Sequence, residues 1–270
     1  MAPERNKGER LRKRRRARAR LVLIATVLLI LLAIAGIFYL LWQPYMRVSH
    51  VVVNDGDASI ESLAQEELAG TLGHIVPRNS YFFVPEQAIR NLILKTHPEL
   101  ESVSISHPAL TALAIKVSAR TPLARWCGSM YVPQTASSTD CYLFDPTGFL
   151  YGLAASSTPL SDLLVFAPLT SSTTDVIGQT VTHATELPEV FRFSRQLGSL
   201  GAVVKTVVLR GDEVDLLVAS STRITYVLGD EQGAYTLAAA AFPGLNLSNG
   251  SIEYVDLRFT ASGRVYLKRK

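Results

Sequence analysis

The chain of 270 residues is long enough for a membrane anchor followed by one or two modest domains. Its net charge of +4 conceals an asymmetry: residues 1–20 carry ten Lys/Arg against Glu4 and Glu9, net +8, whereas the other 250 residues carry 17 basic and 21 acidic side chains, net −4. The basic character therefore belongs to the tail, which excludes a basic folded part.

Residues 1–20 read as a basic cytoplasmic tail and residues 21–43 as a transmembrane helix. From Leu21 to Trp42 there are 22 consecutive residues without a charge. At about 1.5 Å per residue they reach across a hydrocarbon core of roughly 30 Å. Tyr39, Trp42 and Tyr45 gather at the far end, where amphipathic rings favour the lipid–water interface. Lys and Arg are costly to translocate, so the tail is expected inside and the chain beyond Trp42 outside. Ala33-Ile34-Ala35 offers the small residues of a signal-peptide cleavage site, but the apolar run continues to Trp42, beyond a signal core, and an uncleaved anchor is expected. Beside such a helix an arginine-rich tail reads as a topology signal with affinity for anionic lipid, and no nucleic-acid partner is expected.

Residues 46–120 read as one small domain. Met46–Val53 is a strand ending at the turn signal Asn54-Asp55-Gly56. Ser59 caps a helix reaching about Leu72, with Ile60, Leu63, Leu68 and Leu72 on its apolar stripe and Gly73 as its stop. After a loop from His74 to Phe83, Pro85 opens a second helix with Ala88, Ile89, Leu92 and Ile93 inward, closed by His97-Pro98. Val103–Ser106 alternates as a strand, Pro108 turns the chain, and Leu113, Ile115 and Val117 alternate with Ala114, Lys116 and Ser118. The order β-α-α-β-β implies two helices over one face of a small sheet with an edge open to strand addition.

Residues 121–270 read as a mixed, β-rich domain with two helices. Strands are expected at Leu123–Trp126, Cys141–Phe144, Phe149–Tyr151, Val203–Leu209, Val214–Val218, Ile224–Leu228, Tyr254–Phe259 and Arg264–Leu267, and helices at Glu186–Leu200 and Glu231–Ala241. Asp145-Pro146-Thr147-Gly148 is a turn, and the Ser/Thr-rich stretch from Ala154 to Val181 has no clear assignment. Cys127 and Cys141 flank a loose Gly/Ser/Thr-rich hairpin loop. Export permits a disulfide between them, worth about 3 kcal/mol by loop-closure entropy, and the alternative is two buried free thiols. The whole is an α+β chain behind a single N-terminal transmembrane helix.

No constellation of catalytic groups stands out, and no enzyme activity, cofactor, metal or small-molecule substrate is expected. His50, His74, His97, His107 and His183 are scattered, and no zinc motif, nucleophile elbow or phosphate-cradling glycine loop occurs. Asp256 and Arg258 fall on one face of a strand and are expected to pair with neighbours there. Asn246-Leu247-Ser248 and Asn249-Gly250-Ser251 match the glycan acceptor pattern but read as a turn before Ile252.

With this architecture in place, the chain resembles the bacterial cell-division proteins called FtsQ or DivIB. One carrier is the order of parts: basic tail, one membrane helix, a POTRA domain over 46–120 and a β domain over 121–270. Another is the segment from Ile105 to Trp126, similar to that family's hairpin followed by Arg-x-Pro-x-Ala-x-Trp (Arg120-Thr121-Pro122-Leu123-Ala124-Arg125-Trp126), with Phe144-Asp145-x-x-Gly148 beyond it. The third is the pair of closing strands, Tyr254–Phe259 and Gly263–Leu267. The chain departs from the pattern at Ala119, where the family usually has an acidic residue, and at His107, where tryptophan is common. The resemblance implies a non-enzymatic scaffold at the division septum, anchored in the plasma membrane. It would bind small bitopic partners like FtsB (DivIC) and FtsL, one of which adds to the last strand. Here that implies contacts from Gly263, Arg264, Val265, Tyr266 and Leu267, with Arg258 and Phe259 just before the turn. A transport-type POTRA protein is disfavoured, because the 150 residues after Arg120 are too few for a large barrel and contain two helices. An anchored hydrolase would require converging acid, base and nucleophile.

Overall fold

The computed structural model describes residues 5–73, 76–132, 140–154, 163–171 and 175–270. His74, much of the loop between the cysteines, and parts of the Ala154–Val181 stretch lie outside the described residues. The protein is mixed α+β and divides into two compact units, Met1–Ser118 and Ala119–Lys270.

Helix α1 (Arg5–Leu41) opens the first unit. Within Arg18–Leu41 the most apolar stretch is unburied, and the segment is long and apolar enough to span a membrane. A three-ten turn (Pro44–Met46) leads to β1 (His50–Asn54). Then follow α2 (Ala58–Leu68), the short ribbon β2 (Thr71–Leu72) and β3 (Val76–Pro77), α3 (Glu86–Thr96), β4 (Leu100–Ala109) and β5 (Ala112–Ala119). The sheet order is β1-β5-β4, with β1 parallel to β5. Leu113, Ile115 and Val117 turn one face of β5 inward against Ile60, Ala64 and Leu68 of α2 and Ile89 and Ile93 of α3. That period of two against a period near 3.6 is what makes this face a core.

Several expectations shift in this unit. β1 begins at His50 rather than Met46, which lies in the three-ten turn. The residue before α2 is Asp57, so Ser59 falls inside the helix instead of capping it. On α3 Ala88 is exposed, and Ile89 and Ile93 carry the buried face. Helix α2 stops at Leu68 rather than Leu72: Ala69 turns extended, and Leu72 enters β2 with its side chain exposed. Pro108 does not turn the chain but lies inside β4. The strand tolerates it because β4 is an edge, the place in a sheet where a residue without an N–H is accommodated.

The second unit is built on a nine-stranded sheet. Its strands are β6 (Ala124–Trp126), β7 (Tyr142–Phe144), β8 (Leu150–Leu153), β9 (Leu164–Phe166), β10 (Val204–Arg210), β11 (Glu213–Val218), β12 (Arg223–Val227), β13 (Ile252–Asp256) and β14 (Tyr266–Arg269). They lie in the order β14-β13-β12-β11-β10-β9-β6-β7-β8. Helix α4 (Leu187–Ser199) joins β9 to its parallel neighbour β10, and α5 (Glu231–Ala241) joins β12 to its parallel neighbour β13. A parallel neighbour cannot be reached by a tight turn, so each helix is a crossover. Both pack into the main core, with Val190, Phe193 and Leu197 of α4 and Ala234 and Ala238 of α5 against Val207, Leu216, Tyr226 and Val255. The alternate residues Cys127, Phe166 and Val208 form a smaller cluster on the reverse face, next to Tyr131 and Cys141.

Candidate functional site

Strand β14 forms one edge of the large sheet and pairs antiparallel with β13, Val255 opposite Leu267 and Asp256 opposite Tyr266. All four of its residues are exposed. The Lys270 amide donates to the Ser251 carbonyl at 3.0 Å, so alternation along the strand turns the N–H and C=O of Leu267 and Arg269 away from β13. Among the described residues no backbone group meets them. The opposite edge differs. There the Leu150 amide donates to the Gln179 carbonyl (2.9 Å), and the Gly178 amide donates to the Leu150 carbonyl (2.8 Å), so a following segment already covers β8.

The expected strand limits shift here. β13 ends at Asp256, which leaves Arg258 and Phe259 outside it, and β14 begins at Tyr266, which leaves Gly263, Arg264 and Val265 in the connection. The reason is Asp256. Its buried carboxylate accepts the Arg258 amide and Nε, each at 3.0 Å, and Nη2 at 2.7 Å, folding the chain back on itself. Burial pushes this carboxyl up, but the bonds from Arg258 and Tyr254 outweigh it and hold it below its ordinary range. The same guanidinium reaches Glu213 on β11 and the Tyr254 hydroxyl. A three-ten turn (Thr260–Ser262) follows, tied to the start of α5 by the Thr260 hydroxyl on Asp230. Val265 packs on the main core and so anchors the return into β14.

This clamp sets an aromatic pair beside the edge. The Phe259 and Tyr266 rings meet edge to face, centroids 5.0 Å apart, and remain 43% and 48% exposed, so neither is a core ring. Arg258 stands 5.9 Å from the Phe259 ring centre, and Lys268 pairs with Glu253 at 2.8 Å. The arrangement offers unpaired backbone groups, exposed rings and fixed charge, which suits binding rather than bond-making.

The other singled-out residues serve the fold. Cys127 and Cys141 are bonded to each other. Arg120 pairs with Asp145, lies 4.1 Å from the centre of the Phe149 ring, and thereby joins the two motifs 25 residues apart. Asp145 also accepts the amides of Thr147 (2.8 Å) and Phe149 (3.1 Å) and the Thr147 hydroxyl (2.6 Å). Burial raises its pKa, and these bonds more than offset the rise. Asn246 and Asn249 each accept the amide and hydroxyl of the serine two residues on, as turn residues do. His97 pairs with Glu99, and His107 lies near Glu86. Among the described residues no group of three or more His, Cys, Asp or Glu could hold a metal ion.

Sequence reasoning missed β9, the Arg120–Asp145 pair and the role of Glu213. Asp145-Pro146-Thr147-Gly148 signalled a turn but not its distant cation, and nothing local marks Glu213, 45 residues before Arg258. No protein-family model matches the sequence, and no curated protein matches it significantly.

Proposed function

We propose that the chain is a non-enzymatic, membrane-anchored scaffold of the FtsQ/DivIB type at the division septum. In this reading the first unit beyond α1 is a POTRA domain and the second is the β domain. The basic tail stays in the cytoplasm, and both units lie outside the plasma membrane. Small bitopic partners like FtsB (DivIC) and FtsL bind there, one of them by adding a strand to β14. The observation that carries the reading is the open β14 edge with the exposed Phe259–Tyr266 pair beside it. Main-chain bonds along such an edge supply affinity, and the rings supply selectivity.

The test is a titration of the full chain in detergent with the extracytoplasmic segment of an FtsB-like protein, run beside a melt. Tyr266→Ala and Phe259→Ala should each weaken binding about thirtyfold, the effect of losing roughly 2 kcal/mol at an anchoring ring. Leu267→Pro should weaken it about tenfold, because it removes an outward-facing donor while sparing the ladder to β13. If all three variants stay folded and bind like the parent chain, partner capture at this edge is wrong.

A further inference from the structure

The first unit carries a second set of exposed apolar side chains, and the backbone fixes where they lie. Beyond Trp42 the chain makes its three-ten turn over Pro44–Met46 and is at once tied to the loop before α3. The Tyr81 amide donates to the Met46 carbonyl (2.9 Å), the Val48 amide donates to the Asn79 carbonyl (2.7 Å), and the Asn79 side-chain amide donates to the Val48 carbonyl (3.3 Å). The turn between β4 and β5 lies at the same end of the sheet, since the amides of Ser49 and His50 both donate to the Thr111 carbonyl, at 2.9 and 3.1 Å. Phe82 (65% exposed), Phe83 (44%) and Leu110 (45%) therefore stand beside the exit of the apolar helix, in company with Trp42 (48%) and Tyr45 (70%).

Lengths place this rim at the bilayer surface. The uncharged run of 22 residues is about 33 Å long against a hydrocarbon core of roughly 30 Å, with a headgroup layer of about 5–8 Å on each side. Trp42 thus falls in that layer. Four further residues at about 2 Å each carry Met46 to its outer part, and Phe82 follows the residue whose amide Met46 holds. Arg47 stacks on Trp42, 4.9 Å from the ring centre, which puts a cation at the level of the lipid phosphates. We infer that Phe82, Phe83 and Leu110 form a membrane-docking rim, which enters the headgroup layer beside Trp42 and Tyr45 and holds the first unit against the bilayer. Lipid is the occupant because the rim is continuous with the segment that leaves it. The inference rests on the bilayer span and is independent of what binds β14.

The test uses the full chain with one added cysteine at a time, Phe82→Cys, Leu110→Cys, Leu29→Cys or Glu101→Cys, spin-labelled without reductant so that the Cys127–Cys141 bond is kept. The labelled protein is placed in vesicles of phosphatidylcholine and phosphatidylglycerol, and each label is probed by power saturation with oxygen, which concentrates in lipid, and with a water-soluble nickel chelate. Leu29 reports the middle of the span. Glu101 lies at the far end of β4, nine residues or about 30 Å from Leu110. Oxygen should dominate at Leu29 and nickel at Glu101, with Phe82 and Leu110 shifted clearly toward the Leu29 ratio. The two rim positions check each other, since each leaves the other apolar side chains in place. The inference is overturned if both match Glu101 while Leu29 reads lipid. It is overturned equally if both are shielded from both reagents, the mark of a second copy or a protein partner. Nickel dominance at Leu29 would remove the span and the docking rim together.

Discussion

Gly148→Ala should be among the most damaging single-methyl additions to the second unit. Gly148 closes the turn in which its amide donates to the Asp145 carbonyl (2.8 Å), and it does so at φ 80°. An added Cβ would stand 2.4 Å from the Ala184 Cβ and 3.4 Å from both Thr180 Cγ2 and the Val181 oxygen. Two costs combine: about 1–2 kcal/mol for an L-residue in the left-handed region, and about 1–3 kcal/mol for forced overpacking. Gly178 is the natural control, with φ 90° but nothing within 4 Å of the added methyl, so Gly178→Ala bears only the backbone cost. At about 2–4 °C per kcal/mol for a unit of this size, Gly148→Ala should lower Tm by about 4–20 °C and Gly178→Ala by about 2–8 °C. The assay is Trp126 fluorescence during a melt of the full chain in a Trp42→Phe background, which leaves Trp126, a core residue of this unit, as the sole tryptophan. Ala184→Gly in the Gly148→Ala background should recover the contact part, read as a coupling of about 1–3 kcal/mol in the double-mutant cycle. Equal losses for the two glycine variants, with no coupling to Ala184, would refute the packing argument.

Two further predictions concern the same unit. The folded-state pKa of Asp145 lies below its unfolded value, so its stabilisation is complete above the ordinary carboxylate range and is lost as pH falls through the folded value; Asp145→Asn should destabilise at neutral pH and flatten the acid limb of a Tm–pH curve, and a parallel curve would contradict this. Opening the Cys127–Cys141 bond by the double Cys→Ser change should cost about 3 kcal/mol, or roughly 6–12 °C in Tm, whereas a reductant-insensitive melt of the parent protein would exclude a stabilising disulfide.

Periodicity made most of the elements legible. The alternation of Leu113, Ile115 and Val117 and the helical spacing of Val190, Phe191 and Leu197 both mark faces that are buried. What stayed hidden was long-range. Strand β9 has only three residues, too few to show a period, yet it lies parallel between β10 and β6 in the middle of the sheet. Strand limits failed where a side chain intervened, since Asp256 ends β13 by binding Arg258 rather than by any local breaker. At the candidate edge, sequence placed the aromatic and basic residues close to a chain reversal. It did not reveal that Glu213 and Asp230 brace that reversal from β11 and the start of α5.

Charge explains how such an edge stays open without pairing with itself. Residues 264–270 hold four basic side chains and no acidic one, so residues 21–263, with 13 basic and 21 acidic, carry a net charge of −8. The strand is thus a basic strip on an acidic body. The Glu253–Lys268 pair lies at the surface and contributes little, which leaves Arg264, Arg269 and Lys270 to set the local field. Two copies meeting edge to edge would bring these like charges together, and each opposed pair costs about 0.2–1 kcal/mol. Such opposed pairs weaken self-pairing while the backbone groups of Leu267 and Arg269 stay exposed. An acidic segment reverses the sign of the same interactions. If a partner strand adds to β14 as proposed, charge and the Phe259–Tyr266 pair would act on different stages: charge would steer the approach, and the rings would hold the strand once bound.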